Sequence, residues 1–302
     1  MASAKELKTR INGIQDTYKI TRAMHLIAST KMQRAKNELD RTRPYFDALK
    51  CEIKRIFRTV GDVESRYFYP ADGTDTDEGT YACLVITADK GLAGAYNQNV
   101  LKEAERLLSQ HNDIKLFVVG EYGRQYFIQR KIPIERSFLY TAQNPTLHRA
   151  REITSILLEL YDNRIVNKIF VIYTDMANGL TAEAKSTRLL PFHRSHFPSH
   201  KEESAVTTPF EFSPSVCTVL DNVIPSYITG FIYSALVDSF FSEQHARMTA
   251  MSTANQNAEQ LLSELSVQYH HLRQAAITQE IIEIAAGSRA QKHKQAKEVQ
   301  FP

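Results

Sequence analysis

Apolar side chains recur every three or four residues at both ends of the chain. The N-terminal stripe runs over residues 7–39 and resumes over residues 46–60. The C-terminal stripe runs over residues 237–276, and there is no Gly or Pro between Phe231 and Ala286. Alternating steps of four and three residues are typical of a coiled-coil seam. The two stripes predict two long helices that pack against each other.

The second of these helices is too long for a compact globule. A helix over residues 231–286 would be roughly 84 Å long at about 1.5 Å per residue. A globular chain of this size would be roughly 50 Å across. The helix is therefore expected to protrude into solvent or into a partner. Two polar seam positions, Gln244 and Asn255, favour one pairing register at some cost in stability.

The segment between the stripes has a different pattern. Short runs rich in β-branched residues occur at 81–87, 114–119 and 168–174, and amphipathic stretches follow each of the first two runs and precede the third. Alternation of strands and helices predicts a parallel, Rossmann-like α/β sheet. The expected fold is an α/β domain plus a long antiparallel coiled coil. The predicted segments are a coiled-coil helix at 1–60, a linker at 61–79, the α/β domain at 80–192, a Pro-rich linker at 193–214, a coiled-coil helix at 215–290 and a disordered tail at 291–302.

Composition is ordinary for a folded protein, with 43% apolar and 24% charged residues. No window approaches 18 uninterrupted apolar residues and the N-terminus lacks the apolar core of a signal peptide, so neither a membrane span nor secretion is expected. Cys51, Cys83 and Cys217 lie far apart in the sequence without CxxC spacing. We expect free thiols in a reducing compartment.

Positive charge is concentrated in the first helix. Residues 1–60 carry fourteen Lys or Arg against six Asp or Glu, although the whole chain has a net charge of only +3. Such a face can be the solvated outside of a coiled coil, or a surface for nucleic acid, a membrane or an acidic protein. The charge alone does not decide between them.

A glycine-bearing turn, containing Gly91 and Gly94, follows the first strand and leads into a helix. Backbone amides at such a place can bind a phosphate. The spacing is GxxG, however, and neither the GxGxxG fingerprint nor a Walker A loop is present. We predict a structural turn and no bound cofactor.

Catalytic and metal-binding patterns are also missing. His193, His196 and His200 have metal-like spacing, but Pro198 interrupts any helix that would align them. There is no GxSxG or HExxH motif. No metal site and no catalytic residue are predicted. The residues still allow a free-standing Rossmann enzyme with coiled-coil arms, or a coiled-coil scaffold whose basic face binds nucleic acid.

Several sequence runs resemble the gamma subunit of F-type ATP synthases. The first helix carries INGI, KITRAM and ASTKM between residues 11 and 32, and residues 87–97 also match the family. The most specific match is SEQHARMTAM at 242–251, followed by RQAAITQE at 273–280. The similarity covers nearly the whole chain in the same order of helix, α/β domain and helix.

The resemblance implies a rotary, non-catalytic role. In this family the terminal helices form a left-handed, antiparallel coiled coil inside a hexamer of alpha and beta subunits. The α/β domain contacts the epsilon subunit and the ring of membrane c subunits. Rotation of ring and shaft drives the beta subunits, which hold the catalytic residues, through three states during proton-driven ATP synthesis or its reverse. Nucleic acid and small-molecule substrates are not expected partners.

The resemblance also implies which residues contact the hexamer. Family positions that contact beta correspond to residues near the C-terminus, and the basic first helix suits an acidic loop of beta. The implied hexamer contacts are Met24, Lys31, Arg247, Met248, Arg273, Gln274, Thr278, Gln279, Glu280, Ile281 and Ile284.

Two departures from the family refine these expectations. Plastid members carry two close cysteines before the second long helix, whereas Cys217 stands alone here, so no thiol switch is expected. An Arg-rich mitochondrial presequence is also missing, which favours a bacterial origin. The expected location is the cytoplasmic face of the bacterial membrane, as a peripheral protein.

Overall fold

The computed structural model describes residues 3–60, 66–68, 79–111, 113–176, 182–192, 212–213 and 215–298. Its elements are α1 (Ala4–Val60), β1 (Tyr81–Ile86), α2 (Tyr96–Gln110), β2 (Ile114–Val119), α3 (Glu121–Gln129), α4 (Leu147–Asp162), β3 (Lys168–Met176), β4 (Ala182–Leu190) and α5 (Val216–Glu298). The chain divides into two compact units. The first contains residues 1–26 and 250–302, and the second contains residues 27–249.

In the first unit, α1 and α5 bury the predicted seam. The seam positions are buried or half-buried and follow the steps of three and four, while most positions between them are exposed. They are Leu7, Ile11, Ile14, Tyr18 and Thr21 in α1, and Met251, Asn255, Ala258, Leu262, Leu265, Tyr269 and Leu272 in α5, with Ser252, Ala254 and Ser266 half-buried beside them. The Thr21 hydroxyl donates to Asn255 Oδ1 at 2.5 Å, and the Tyr18 hydroxyl donates to Glu259 Oε1 at 2.7 Å. Because lower numbers in α1 pair with higher numbers in α5, the helices are antiparallel.

In the second unit, the same two helices approach each other closely at Gly230. A Cβ placed on Gly230 would lie 2.0 Å from Cδ1 of Phe46. The hydroxyl of Tyr233 donates to Glu38 Oε1 at 2.9 Å. The missing side chain at position 230 therefore makes room for the Phe46 ring, and the polar pair lies beside it.

The sheet contains four strands in the order β2-β1-β3-β4. The three predicted strands are confirmed, and β1 pairs in parallel with both β2 and β3. The prediction of a purely parallel sheet was incomplete, because β4 adds an antiparallel edge to β3. The residues of β4, AEAKSTRLL, are mostly polar, and only the last two are buried. An edge strand needs little apolar burial, so its sequence gives a weak signal.

The core forms on both faces of the sheet. On one face, Leu84 and Ile86 of β1 belong to a buried cluster with α4 and the first part of α5. On the other face, Val85 packs in a cluster with α2. Alternate residues of a strand point to opposite faces, which explains why all six residues of β1 are buried.

The first part of α5 is a core helix of the α/β domain. Leu220, Ile224, Ile228 and Ile232 are fully buried in it. An 18-residue window of α5 is long and apolar enough to cross a membrane, but 61% of that window is buried within the protein. Thr218, Asp221, Asn222 and Ser226 are exposed, so this part of α5 presents one apolar face to the core and one polar face to solvent.

The structure differs from the sequence analysis at the C-terminus. Helix α5 continues to Glu298 rather than ending near residue 290. After Gly287 the sequence contains mainly Ala, Gln, Lys and Glu, which are good helix formers. Most of the two predicted linkers and all three histidines at 193, 196 and 200 lie outside the described residues. Cys51, Cys83 and Cys217, all of them described, form no disulfide; Cys83 is buried, and Cys51 and Cys217 are exposed.

Candidate functional site

The glycine-bearing turn after β1 lies at the carboxyl edge of the sheet and is held by side chains of its neighbours. The Thr87 hydroxyl donates to the carbonyl of Val119 at 2.9 Å and accepts from the Gly123 amide at 3.1 Å. The Asn97 carboxamide accepts from the Ala88 amide at 3.0 Å. These bonds join the end of β1 to the end of β2 and to the starts of α2 and α3.

The two glycines of the turn have different requirements. Gly94 has a φ of +54°, in the left-handed region that favours glycine. A Cβ on Gly91 would approach only the Tyr122 ring, at 3.9 Å. The turn thus depends on glycine for its conformation at position 94, whereas position 91 has room for a methyl group.

Asp89 places a carboxylate at the N-terminus of α3. Its Oδ1 accepts from the amide of Glu121, the first residue of α3, at 3.2 Å, and from the Ala142 amide at 3.1 Å. The first amides of a helix lack intrahelical partners and attract an anion. In a nucleotide-binding α/β fold a ligand phosphate uses such amides. Here a side chain of the protein itself does so.

Helix α5 contacts this turn through Arg247. One nitrogen of its guanidinium, Nη2, donates to the carbonyls of Lys90 at 3.3 Å and Gly91 at 3.1 Å. The other, Nη1, donates to Glu243 Oε1 at 2.5 Å. Both Arg247 and Glu243 are buried. The ion pair therefore fixes the guanidinium against backbone of a different element.

Burial raises the pKa of Glu243, and the nearby Asp89 carboxylate raises it further. The charges of Arg247 and Lys31 act in the opposite direction and favour the ionised form. One oxygen of Glu243, Oε2, has no hydrogen-bond partner among the described residues. Glu243 is thus a partly desolvated carboxylate held between two cations and one anion.

The other long helix reaches the same edge. Lys31 of α1 donates from Nζ to Gln143 Oε1 at 3.3 Å. Gln143 is the residue after Ala142, whose backbone amide donates to Asp89. We call the set of Lys31, Asp89, Glu243, Arg247 and the 90–91 carbonyls the junction.

The structure separates the predicted hexamer contacts into three groups by their exposure. Seven are exposed on α5 in the first unit: Arg273, Gln274, Thr278, Gln279, Glu280, Ile281 and Ile284. Met24, Lys31 and Met248 are half-buried. Arg247 is buried and directed at the protein's own turn, so it offers little surface to a partner. Sequence reasoning missed Asp89 and Glu243; the four-residue spacing of Glu243 and Arg247 was the one available signal.

The part of α5 beyond the seam exposes large apolar side chains. Ile281, Ile282 and Ile284 are 61%, 55% and 73% exposed. They follow Leu272, the last half-buried seam residue. In the described part of the chain there is no group of three or more His, Cys, Asp or Glu residues that could hold a metal ion. Neighbouring exposed isoleucines of this kind are typical of a surface for protein contact.

Comparison with known proteins identifies the family. The sequence model described as ATP synthase matches residues 3–290. The ATP synthase gamma chain of Caldanaerobacter subterraneus subsp. tengcongensis is 42% identical over 292 residues, which cover 94% of this chain and 98% of that protein. The protein of the same name from Ruminiclostridium cellulolyticum is 39% identical, with 95% and 98% covered. A gamma chain from Acetobacterium woodii named as sodium ion specific is 32% identical, with 95% and 98% covered.

Solved structures agree on the fold. A chain of the Euglena gracilis mitochondrial ATP synthase, from its OSCP/F1/c-ring part, has a TM-score of 0.69 at 14% identity and covers 97% of this chain and 95% of its own. A chain of the central stalk and c-ring of the Tetrahymena thermophila mitochondrial enzyme has a TM-score of 0.55 at 24% identity, with 78% and 99% covered. Because the family model and the bacterial gamma chains match nearly the full length, this chain belongs to the ATP synthase gamma chain family.

Proposed function

We propose that this chain is the central rotor shaft of an F-type ATP synthase. It turns with the ring of c subunits and drives the alpha/beta hexamer through its catalytic cycle, for ATP synthesis or for the reverse reaction. Family membership over residues 3–290 is the observation that carries the proposal. The catalytic residues belong to the beta subunits, and this chain contributes no cofactor or metal.

The exposed isoleucines support insertion of α5 into a partner. Burying an isoleucine side chain stabilises an assembly by roughly 1.5–3 kcal/mol. Ile281, Ile282 and Ile284 are all more than half exposed in the isolated chain. An apolar sleeve formed by the hexamer would cover them on all sides. Because apolar contact has no preferred direction, such a sleeve holds the helix and still lets it rotate.

Polar residues next to the isoleucines supply the angle-dependent contacts in this proposal. Arg273, Gln274, Thr278, Gln279 and Glu280 are exposed and can form hydrogen bonds with the hexamer. Contacts that differ between rotor angles favour different conformers of each beta subunit, and this difference is the coupling free energy. We assign the same role, lower on the shaft, to the half-buried Met24, Lys31 and Met248.

The α/β domain is proposed to contact the epsilon subunit and the c ring, on the cytoplasmic face of a bacterial membrane. The Acetobacterium woodii relative is named sodium ion specific. Similarity of this chain to that protein does not assign the coupling ion, since the ion is bound by a different subunit. The alternative of a nucleic-acid-binding scaffold has no support among the relatives, which are named ATP synthase gamma chains.

A reversible crosslink between shaft and hexamer tests the proposal. The exposed Cys51 and Cys217 are first replaced by Ser, and a single cysteine is introduced at Ala23, an exposed position beside Met24. A disulfide from this cysteine to a facing cysteine in beta should stop ATP hydrolysis, and thiol reduction should restore it. The matched control is a cysteine pair between the α/β domain and the c ring, which turn together, so that crosslink should leave turnover largely intact.

A crosslink at Gln279 or Ile282 should be less decisive. Both lie beyond the seam in α5, where a single helix end can swivel or unwind. Full coupled turnover with the Ala23 crosslink formed quantitatively would be incompatible with a rotating shaft.

A further inference from the structure

The buried ion pair of the junction bonds a backbone turn outside α5 through Arg247. Arg247 donates to Glu243 within α5 and to the Lys90 and Gly91 carbonyls outside it. Burying two opposite charges rarely stabilises a fold more than apolar residues of the same volume would. Core packing alone therefore gives no reason for an arginine here. The planar guanidinium does offer several donors in a fixed geometry, which an apolar side chain lacks.

The position of Arg247 along α5 is informative. The apolar residues of α5 in the cluster with α4 run from Val216 to Phe241, and the half-buried Ala246 packs in the cluster with α2. Arg247 comes later, two residues before Thr249, the last residue of the second unit. Burial of its apolar face sets the rotation of α5 along the core. Directional hydrogen bonds near the end of the domain add a further constraint on that rotation.

The turn that Arg247 binds is itself tied to the rest of the sheet edge. Asp89, directly before the Lys90 carbonyl, accepts from the amides of Glu121 and Ala142. Lys31 of α1 binds Gln143 in the same loop as Ala142. Both long helices are thus bonded to the loops at one edge of the sheet. Hydrogen bonds and the short backbone segments between them thus link α5 through the turn to that edge.

We propose that Arg247, oriented by Glu243, is a positioning residue that fixes the rotation angle of α5 relative to the α/β domain. This inference rests on the proposed shaft function, because the angle matters only when torque passes from the domain to the helix. Without the contacts of Arg247, α5 would turn relative to the α/β domain when torque acts on it, and rotation of the domain would be transmitted incompletely. The role assigned to Arg247 is internal to this chain and does not require a contact with beta.

The test compares ion pumping with ATP hydrolysis in the assembled, membrane-bound complex. The variants are Arg247→Gln, which removes the positive charge and the planar guanidinium, and Glu243→Gln, which keeps the shape of the side chain but removes its negative charge. Both should lower the amount of ion transported per ATP hydrolysed, while hydrolysis itself continues. A purely structural role would instead lower both rates together, through loss of assembled complex.

Hydrogen exchange provides a second readout in the same complexes. A hydrogen bond to a charged group contributes about 1.5–3 kcal/mol, so peptides covering residues 87–97 should exchange about tenfold or more faster in Arg247→Gln. The matched control is Arg106→Gln, which breaks a 2.5 Å ion pair with Glu103 on the exposed face of α2. That variant should change neither the pumping ratio nor the exchange of residues 87–97.

The conservative variant keeps the proposal falsifiable if Arg247→Gln does not assemble. Arg247→Lys retains the charge but cannot bond Glu243 and both carbonyls with one planar group, so it should give an intermediate pumping ratio. The proposed role of Arg247 would be refuted if Arg247→Lys and Glu243→Gln both transported as many ions per ATP as the wild type and showed wild-type hydrogen exchange in residues 87–97. That result would not contradict the shaft function, because the Ala23 crosslink tests the shaft function separately, in a protein whose junction residues are unchanged.

Discussion

Asp238 of α5 is a buried acid whose charge destabilises the fold, and its removal gives a measurable change in stability. The residue is 5% exposed. Its Oδ2 accepts from the Ser234 hydroxyl at 3.3 Å, and its Oδ1 has no hydrogen-bond partner among the described residues. Two charges on other elements act on it: Arg43 of α1 favours the ionised form, and Asp175 of β3 opposes it.

Burial dominates this balance and raises the pKa of Asp238 from its ordinary value of 3.8 to about 6. At 1.36 kcal/mol per pKa unit, the difference corresponds to about 3 kcal/mol. Because the folded-state pKa is the higher one, the native state binds the proton more tightly than the unfolded chain does. The contribution of Asp238 to stability is thus fully present below pH 3.8 and is lost as the pH rises through about 6.

The variant Asp238→Asn mimics the protonated acid and can still accept from Ser234. At pH 8 it should unfold with a free energy about 2–3 kcal/mol higher than that of the wild type, and at pH 4 the two should be nearly equal. Urea denaturation followed by circular dichroism at pH 4, 6 and 8 gives these differences. Comparing variant and wild type at each pH cancels the contributions of other titrating groups.

A matched control is Asp16→Asn, at a carboxylate of α1 whose side chain is 71% exposed and pairs with Lys19. This exposed pair should contribute little to stability. Equal pH dependence of unfolding in Asp238→Asn and the wild type would refute the argument, because it would mean that the Asp238 carboxylate is solvated in the folded protein.

Two further outcomes test the helix seam and the sheet edge. Replacing Leu262 and Leu265 together by Asp puts unpaired charges into the seam at a cost of several kcal/mol each, so complex assembly should fail. Asp at the exposed positions 260 and 263 should be tolerated. Normal assembly of the seam variant would contradict the coiled coil. Isothermal titration of the chain with ATP, ADP or NAD should show no heat of specific binding up to low millimolar ligand, because Asp89 already accepts from the α3 amide. A stoichiometric binding site would instead support the interpretation as a Rossmann enzyme.

The periodic features of this fold could be predicted from sequence because they depend on local pattern. Residues 7–21 and 251–272 follow the step of three and four that a two-helix seam requires, and the structure buries them at that spacing. The polar position Asn255, chosen from its place in the seam, bonds Thr21 of the opposite helix. The three parallel strands were likewise evident from short β-branched runs.

The junction could not be predicted, because its contacts join distant parts of the chain. Arg247 and Lys90 are 157 positions apart, and nothing local to either residue indicates that they meet. The resemblance to a family suggested an outward role for Arg247, and the structure directs the side chain inward. Edge strand β4 was missed for a different reason: residues 184–188 are all half-buried without alternation, so their identities are weakly constrained.

The junction also gives a physical reason why an α/β domain of nucleotide-binding type should have no nucleotide. In such folds a ligand binds at the carboxyl edge of the sheet and uses the amides of a helix N-terminus. Here the Asp89 carboxylate accepts from the first amide of α3, and Arg247 bonds the turn that would otherwise face a phosphate. The Asp89 side-chain anion thus uses an amide that a ligand phosphate would need, and Arg247 holds the adjacent turn through its carbonyls. Because this edge already holds contacts from both long helices, we predict that it does not open for a nucleotide.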